Sequence, residues 1–246
     1  MKNYLLIFLS ICVFSNLNAQ LFGGQIKTSI NLATQYPVGS VFCASGPTAI
    51  VEVTNPTTGK VWMDRNLGAS QVATSSTDAA AYGDLYQWGR RSDGHQCRNS
   101  PTTNTLSTGL FNPNPDQPVD NKFILVQNAP FDWRSPQNNN LWQGLNGINN
   151  PCPIGFKLPT SSELNSEINT WSNNNAVGAF NSILKFTRCG FRRGNDGVLQ
   201  NVGAGGDYYS SSVNNTNVMY LAYDGSIAFV GQSERRFGRA VRCIKN

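Results

Sequence analysis

Histidine is nearly missing from this chain: His95 is the only one in 246 residues. A zinc site built from cysteine and histidine needs several such donors at short spacings, and no CxxC pair is present, so that class of site is not supported. No ordered set of nucleophile, base and acid surrounds His95, which reads as a loop or structural histidine. Charge is sparse too. Asp, Glu, Lys and Arg make up 13% of the residues, and the basic ones are scattered apart from the doublets Arg90-Arg91, Arg192-Arg193 and Arg235-Arg236. Nucleic-acid binding would require a basic stripe on a recognised fold, so nucleic acid is not an expected partner. Long hydrophobic runs are also lacking. The apolar run from Tyr4 to Phe14 is about half of the roughly 20 residues a spanning helix needs, and nothing later approaches it, so no membrane span is expected.

What that first run does supply is a secretory signal. MKNYLLIFLSICVFSNLNAQ has a basic start at Lys2, a short apolar segment, and a small residue, Ala19, before the expected cut, which leaves Gln20 first. Cys12 follows Ile11 inside an unfinished apolar segment, so a lipoprotein cut there is disfavoured and Cys12 leaves with residues 1–19. The expected location is secreted: periplasmic, cell-surface or extracellular. Removing Lys2 takes the net charge from +5 to +4. Cys43, Cys97, Cys152, Cys189 and Cys243 remain, and an oxidising compartment makes disulfides the default for such spacings. Their number is odd, so at least one thiol stays free, pairs with another chain, or sits buried and inert.

Residues 20–45 read as an N-terminal leader and 46–246 as the domain. Ala49 to Val53 and Val61 to Met63 flank the turn cluster Asn55 to Gly59 and predict a hairpin. Tyr82 to Trp88 predicts a short buried segment. Ser92 to Asn150 is rich in Asn, Pro, Thr and Gly yet carries Phe123, Trp133 and Trp142, which predicts a long ordered loop region pinned by buried aromatics. Thr160-Ser-Ser-Glu163 is a capping box behind Pro159, with Leu164, Ile168 and Trp171 on one face, so a helix should run from there to about 172–175. From Lys185 onward the pattern is short strands: 185–191, 198–202, 208–212, 218–223, 227–230 and 239–244.

Five strings stand in order: GKVWMDRNLGA (59–69), AYGDLYQWGRRSDGH (81–95), FDWRSPQNNNLWQG (131–144), CPIGFKLPTSSEL (152–164) and GRAVRCIKN (238–246). Together, across 51–246, they resemble the Fibrobacter succinogenes major paralogous domain family. That family is in turn similar to C-type-lectin-like and formylglycine-generating-enzyme folds. The resemblance implies an α+β fold with short antiparallel strands, one clear helix and long ordered loops. It also implies a Cys152–Cys243 bridge, with Cys43, Cys97 and Cys189 competing for one further bond. One departure is Tyr208-Tyr209-Ser210-Ser211, where the family carries Tyr-Trp-Ser-Ser.

The calcium-lectin loop motifs are missing, and Asn114-Pro115-Asp116 precedes the helix, on the wrong side of the fold for one. Asp196, Asp207 and Asp224 could supply oxygen ligands to Ca²⁺, although turn-forming Asp is the commoner role, and the metal question stays open. No cofactor is expected, and Cys189 with Cys243 makes a poor oxidase pair. The resulting expectation is a secreted, non-catalytic binding or adhesion module whose ligand is a carbohydrate or a cell-surface protein. Tyr208, Tyr209, Arg192, Arg193 and Trp142 are the expected contacts. An enzyme related to the formylglycine-generating group and a structural envelope protein are the alternatives.

Overall fold

Twenty-three glycines and 12 prolines spread along 246 residues leave few stretches long enough for extended regular structure. The computed structural model describes residues 21–22, 25–26 and 31–246, excepting 111 and 119. The expected signal peptide lies outside the described residues. The chain divides into two units, 1–31 and 32–246. In the first, β1 (Leu21–Phe22) pairs antiparallel with β2 (Gln25–Ile26).

The second unit follows the predicted pattern in part: the strands expected over 185–191 and 239–244 form only at the ends of those segments. The hairpin forms from β3 (Glu52–Thr54) and β4 (Val61–Met63), with Val53 opposite Trp62. The Asn55 side chain holds its turn by accepting from the amides of Thr57 and Thr58. Next come β5 (Tyr86–Gln87), β6 (Thr102–Thr103), β7 (Ser107–Thr108), β8 (Phe123–Ile124), β9 (Arg134–Ser135) and β10 (Phe156–Lys157). Helices α1 (Ser161–Ile168) and α2 (Ala176–Asn181) precede β11 (Phe191–Arg192), β12 (Leu199–Gln200), β13 (Gly206–Asn214), β14 (Asn217–Tyr223), β15 (Ala228–Ser233), β16 (Gly238–Arg239) and β17 (Ile244–Lys245). The fold is α+β. Its sheets run β10-β17-β4-β3, β12-β11-β16-β5 and β13-β14-β15. Inside the long loop region, β6 pairs with β8 and β7 with β9 in parallel, where only antiparallel pairs were expected.

The capping box forms as read. Glu163 N donates to Thr160 Oγ1 at 3.2 Å and Thr160 N donates to Glu163 Oε2 at 2.7 Å. The helix nevertheless stops at Ile168 and leaves Trp171 beyond its end. Asn169, Thr170 and the Asn run 173–175 are poor helix formers, and Asn175 instead caps α2 by accepting from Val177 and Gly178. Thr160→Ala should therefore cost about 1 kcal/mol in a urea melt, and an unchanged midpoint would show that the cap contributes nothing.

The sheet β13-β14-β15 separates two cores because side chains alternate between its faces. Tyr208, Leu221 and Val230 are cross-strand neighbours on one face and pack with Leu164, Trp171 and Phe186. Tyr209 and Tyr220 lie on the other, with Trp88, Trp133 and Trp142. Both tryptophans of the loop region are fully buried, as are Phe123 and Ile124. The segment read as a leader enters the domain earlier than expected. Tyr36 belongs to the first core, Val41 N donates to Ser92 O at 2.7 Å, and Cys43 is bonded to Cys97. Cys152 is bonded to Cys243, and Cys189 is a buried free thiol. Among the described residues no helix is long and apolar enough to cross a membrane.

Candidate functional site

The structure corrects most of the expected ligand contacts. Tyr208, Tyr209 and Trp142 are 0% exposed and Arg192 is 5% exposed. The Tyr208 hydroxyl is taken up by Thr187 and Asn66 at 3.0–3.1 Å, and burial pushes its phenol well above the ordinary tyrosine range. The Tyr209 hydroxyl donates to Phe237 O at 2.9 Å, and burial pushes its pKa up to about 12. Trp142 Nε1 donates to Asn149 O at 3.0 Å. Arg192 is spent internally: its guanidinium reaches Ser100 Oγ at 2.6 Å and Ser100 O at 2.8 Å and lies 4.4 Å from the Phe123 ring centre. The cause is common to the tyrosines. Residues 206–214 are a strand with both faces covered, so consecutive rings go into the two cores and neither reaches solvent. Only Arg193, which pairs with Asp196, remains at the surface.

Each arginine doublet is divided between core and surface. Arg90, Arg192 and Arg235 are buried while Arg91, Arg193 and Arg236 are half-exposed. Arg90 pairs with Asp93 at 2.8 Å. Arg235 lies 4.7 Å from the Trp88 ring centre and donates to Asn138 O at 3.1 Å, which anchors the Asn-rich loop.

A groove of about 510 Å³ opens on the Tyr220 side of the three-stranded sheet. Its floor is Asp207 of β13 and Arg239 of β16, joined at 3.1 Å. The guanidinium of Arg239 lies 3.9 Å from the Tyr220 ring centre, 4.8 Å from Phe237 and 5.2 Å from Tyr209, and Tyr209 Oη accepts from it at 3.3 Å. Burial disfavours this cation, but Tyr209 and Asp207 more than offset that and hold its pKa above the ordinary arginine value. Burial raises Asp207 in turn, against the pull of Arg239. Phe191, Tyr220, Phe229 and Phe237 form the walls, and Phe229 is 44% exposed. A second recess of about 610 Å³ continues it across Ser233 and Phe237, past Phe131 and Arg236. Ring faces beside a fixed carboxylate and guanidinium suit a ligand with both apolar and hydrogen-bonding surfaces. Asp207 and Asp224 enter the sequence reading only as possible calcium ligands, and Phe191, Phe229, Phe237 and Arg239 are not among the expected contacts. The signal for them was the period-2 register that places Ala222 beside Phe229 and Tyr220 beside Gly231.

Other perturbed groups have structural explanations. Burial lowers His95 to about 4, despite Asp93 at 2.5 Å. Its Nε2 accepts from Gln87 N at 2.9 Å, so the ring is neutral with its proton on Nδ1. Burial raises the Cys189 thiol. Asp196 accepts from Val198 N, and Asp224 from Ser226 and Ile227 N, which is turn chemistry. Among the described residues no group of three His, Cys, Asp or Glu side chains could hold a metal ion.

Asp84 carries a further prediction. Its carboxyl is packed over Gly68, where φ is +81° and an added Cβ would lie 2.2 Å from Asp84 Cγ. Desolvation raises its pKa to about 7, with Arg98 opposing. A carboxyl whose pKa rises on folding holds its proton more tightly in the native state, so its contribution to stability falls as pH climbs from about 4 to about 7. Asp84→Asn should match the wild type near pH 4 and exceed it by about 2–3 kcal/mol above pH 7, allowing for local relaxation. Urea melts across that range check this, and a difference independent of pH would refute it.

No protein-family model, curated protein or solved structure matches the chain.

Proposed function

We propose that the chain is an exported, non-catalytic binding module of the C-type-lectin-like kind, related to the Fibrobacter succinogenes major paralogous domain family. Its ligand, a glycan or a cell-surface protein, occupies the groove over Asp207 and Arg239. The observation that carries this reading is the partly exposed aromatic wall, Phe229 above all, around a charged floor that is already fixed and desolvated.

The placement of the motif residues supports it. The first and last motif strings meet inside the molecule: Met63 N donates to Cys243 O at 3.0 Å, Leu67 N to Val241 O at 3.0 Å, and Arg242 Nε to Asn66 Oδ1 at 2.9 Å. These residues build the scaffold, whereas of the groove residues only Arg239 falls within a motif string. A groove outside the scaffold can vary in specificity without loss of the fold. Oxidase chemistry of the formylglycine-generating kind needs a reactive thiol pair. Cys43, Cys97, Cys152 and Cys243 are bridged, and the remaining thiol, Cys189, is buried with its pKa raised, so binding is the stronger reading.

Phe229→Ala provides the test. On a glycan array and an array of extracellular proteins, the wild type should find a ligand that the variant binds about tenfold more weakly. Its stability should change by less than about 1 kcal/mol, because the ring is already half in solvent. A ligand bound equally well by both proteins would overturn the placement, and none on either array would overturn the function.

A further inference from the structure

The wall of this groove ends in an unprotected strand. β15 pairs with β14 along its whole length, from Val218 opposite Ser233 to Tyr223 opposite Ala228, without a bulge. The opposite margin of the sheet is closed: Tyr209 N donates to Ala240 O and Ala240 N to Asp207 O, both at 3.0 Å. Among the described residues no strand closes the outer edge of β15, whose Val230 face packs on α1. Among the described residues, β14 supplies the only backbone hydrogen bonds to 228–233, and no side chain donates to or accepts from that backbone. In a strand paired on one side, alternate N–H and C=O groups point away from the partner.

Natural sheet edges are usually blunted by lysine, proline, a bulge or a covering element. The sequence of β15, Ala-Phe-Val-Gly-Gln-Ser, has no charge and no proline. Beside it lies an apolar surface: the Phe229 ring folds over Gly231, where an added Cβ would lie 2.9 Å from Phe229 Cε2. Phe229 and Ser233 line the groove, and Gln232 and Ser233 line its continuation.

We propose that the ligand of this groove is an extended polypeptide segment that adds to β15 as a fourth strand, with alternate side chains packed against Phe229 and Phe237. This rests on the groove being the binding site and names what binds there. A peptide backbone is the chemistry that presents donors and acceptors in a row matching a strand edge. A glycan could cover the rings but would leave that row unpaired. Asp224, Glu234 and Arg236 at the rim carry mixed signs, so selection falls on apolar side chains at every second position and not on net charge.

The probe is a phage-displayed library of random eight-residue linear peptides, panned on the intact domain, with the best binder synthesised. Hydrogen exchange should show added protection of β15 amides when it binds. N-methylation of the peptide at alternate positions should weaken binding about five- to tenfold, the range for loss of one backbone hydrogen bond, and the intervening positions should tolerate it. Phe229→Ala, checked as folded by circular dichroism, should reduce binding about tenfold. No binder from the library, a binder that leaves β15 unprotected, or an N-methyl scan without a two-residue period overturns the proposal. So does self-association of the chain through β15, seen by sedimentation. A glycan that binds the groove in a Phe229-dependent way, with no peptide doing so, overturns strand addition alone and leaves the binding reading standing.

Discussion

Trp88→Ala is expected to destabilise the domain by about 3–5 kcal/mol, the range for removing a buried aromatic side chain. Trp88 is 0% exposed and does three things at once. Its ring packs 5.5 Å from that of Trp142, which in turn lies 5.8 Å from Tyr209, so it starts an aromatic row that runs to the three-stranded sheet. Its Nε1 donates to Ser210 O at 2.9 Å, and the variant leaves that buried carbonyl without its donor. Its face carries the Arg235 guanidinium, which is 0% exposed at the side chain and has, among the described residues, only Asp132, at 3.6 Å, as an opposing charge. Removing the ring therefore opens a cavity, orphans an acceptor, and strips a buried cation of part of its stabilisation. Trp88→Phe should cost clearly less, because it keeps a face for Arg235 and most of the volume. Equal losses from the two variants in urea melts would show that the indole donor, not the packing, is what matters.

Whether a residue's role could be read from sequence depended on whether its signal was local. The hairpin over 52–63 and the capping box at Thr160 depend on neighbours a few residues apart, and both formed as read. The burial of Trp133 followed from chemistry alone, since loop tryptophans need cover; Trp142, read both as a buried anchor and as a ligand contact, is an anchor. What failed needed knowledge of both faces of a strand. The sequence places Tyr208 and Tyr209 on a short strand, 208–212, but does not show that both of its faces are covered: the segment pairs with β14 and lies between two cores. Tyr208→Ala is accordingly expected to unfold the domain and not to weaken ligand binding selectively.

Arg192 shows the same limit in electrostatic form. An arginine doublet looks like a solvated patch, yet a strand sends one member inward, where Ser100 and the Phe123 face compensate for lost water. The groove was hidden because its walls come from β11, β14, β15 and the segment before β16. No single stretch of chain displays it, and Arg239 reads as part of a closing motif until Tyr220 is seen stacked on it at 3.9 Å. The bond between Cys43 and Cys97 was open for a related reason: it depends on 32–45 docking onto the domain, and that segment has no periodicity to announce it.

The bridge between Cys152 and Cys243 carries the other large effect. It closes a separation of 91 residues, against 54 for Cys43–Cys97. In the chain-entropy account, loops of these sizes contribute about 4–5 kcal/mol each, and the two differ by only about half a kcal/mol. Position should widen that gap. Cys152 and Cys243 are 1% and 0% exposed inside the first core, beside the β10–β17 pairing that ties Phe156 to Lys245, and β17 continues onto β4 through Ile244 and Trp62. Cys43 and Cys97 are half-exposed. Replacing Cys152 and Cys243 together by serine should thus remove the loop term and also bury two hydroxyls in apolar surroundings, for a loss of about 5 kcal/mol or more. Replacing Cys43 and Cys97 should cost no more than the loop term, because serine at half-exposed sites keeps its water. Mild reductant acting on the folded protein should likewise open Cys43–Cys97 first, leaving Cys152–Cys243 closed until the core opens. Urea melts of the two double variants, with peptide mapping of partly reduced protein, decide it. If the Cys43 and Cys97 pair proves the costlier to lose, then the docking of 32–45, and not the closing strand, holds this domain together.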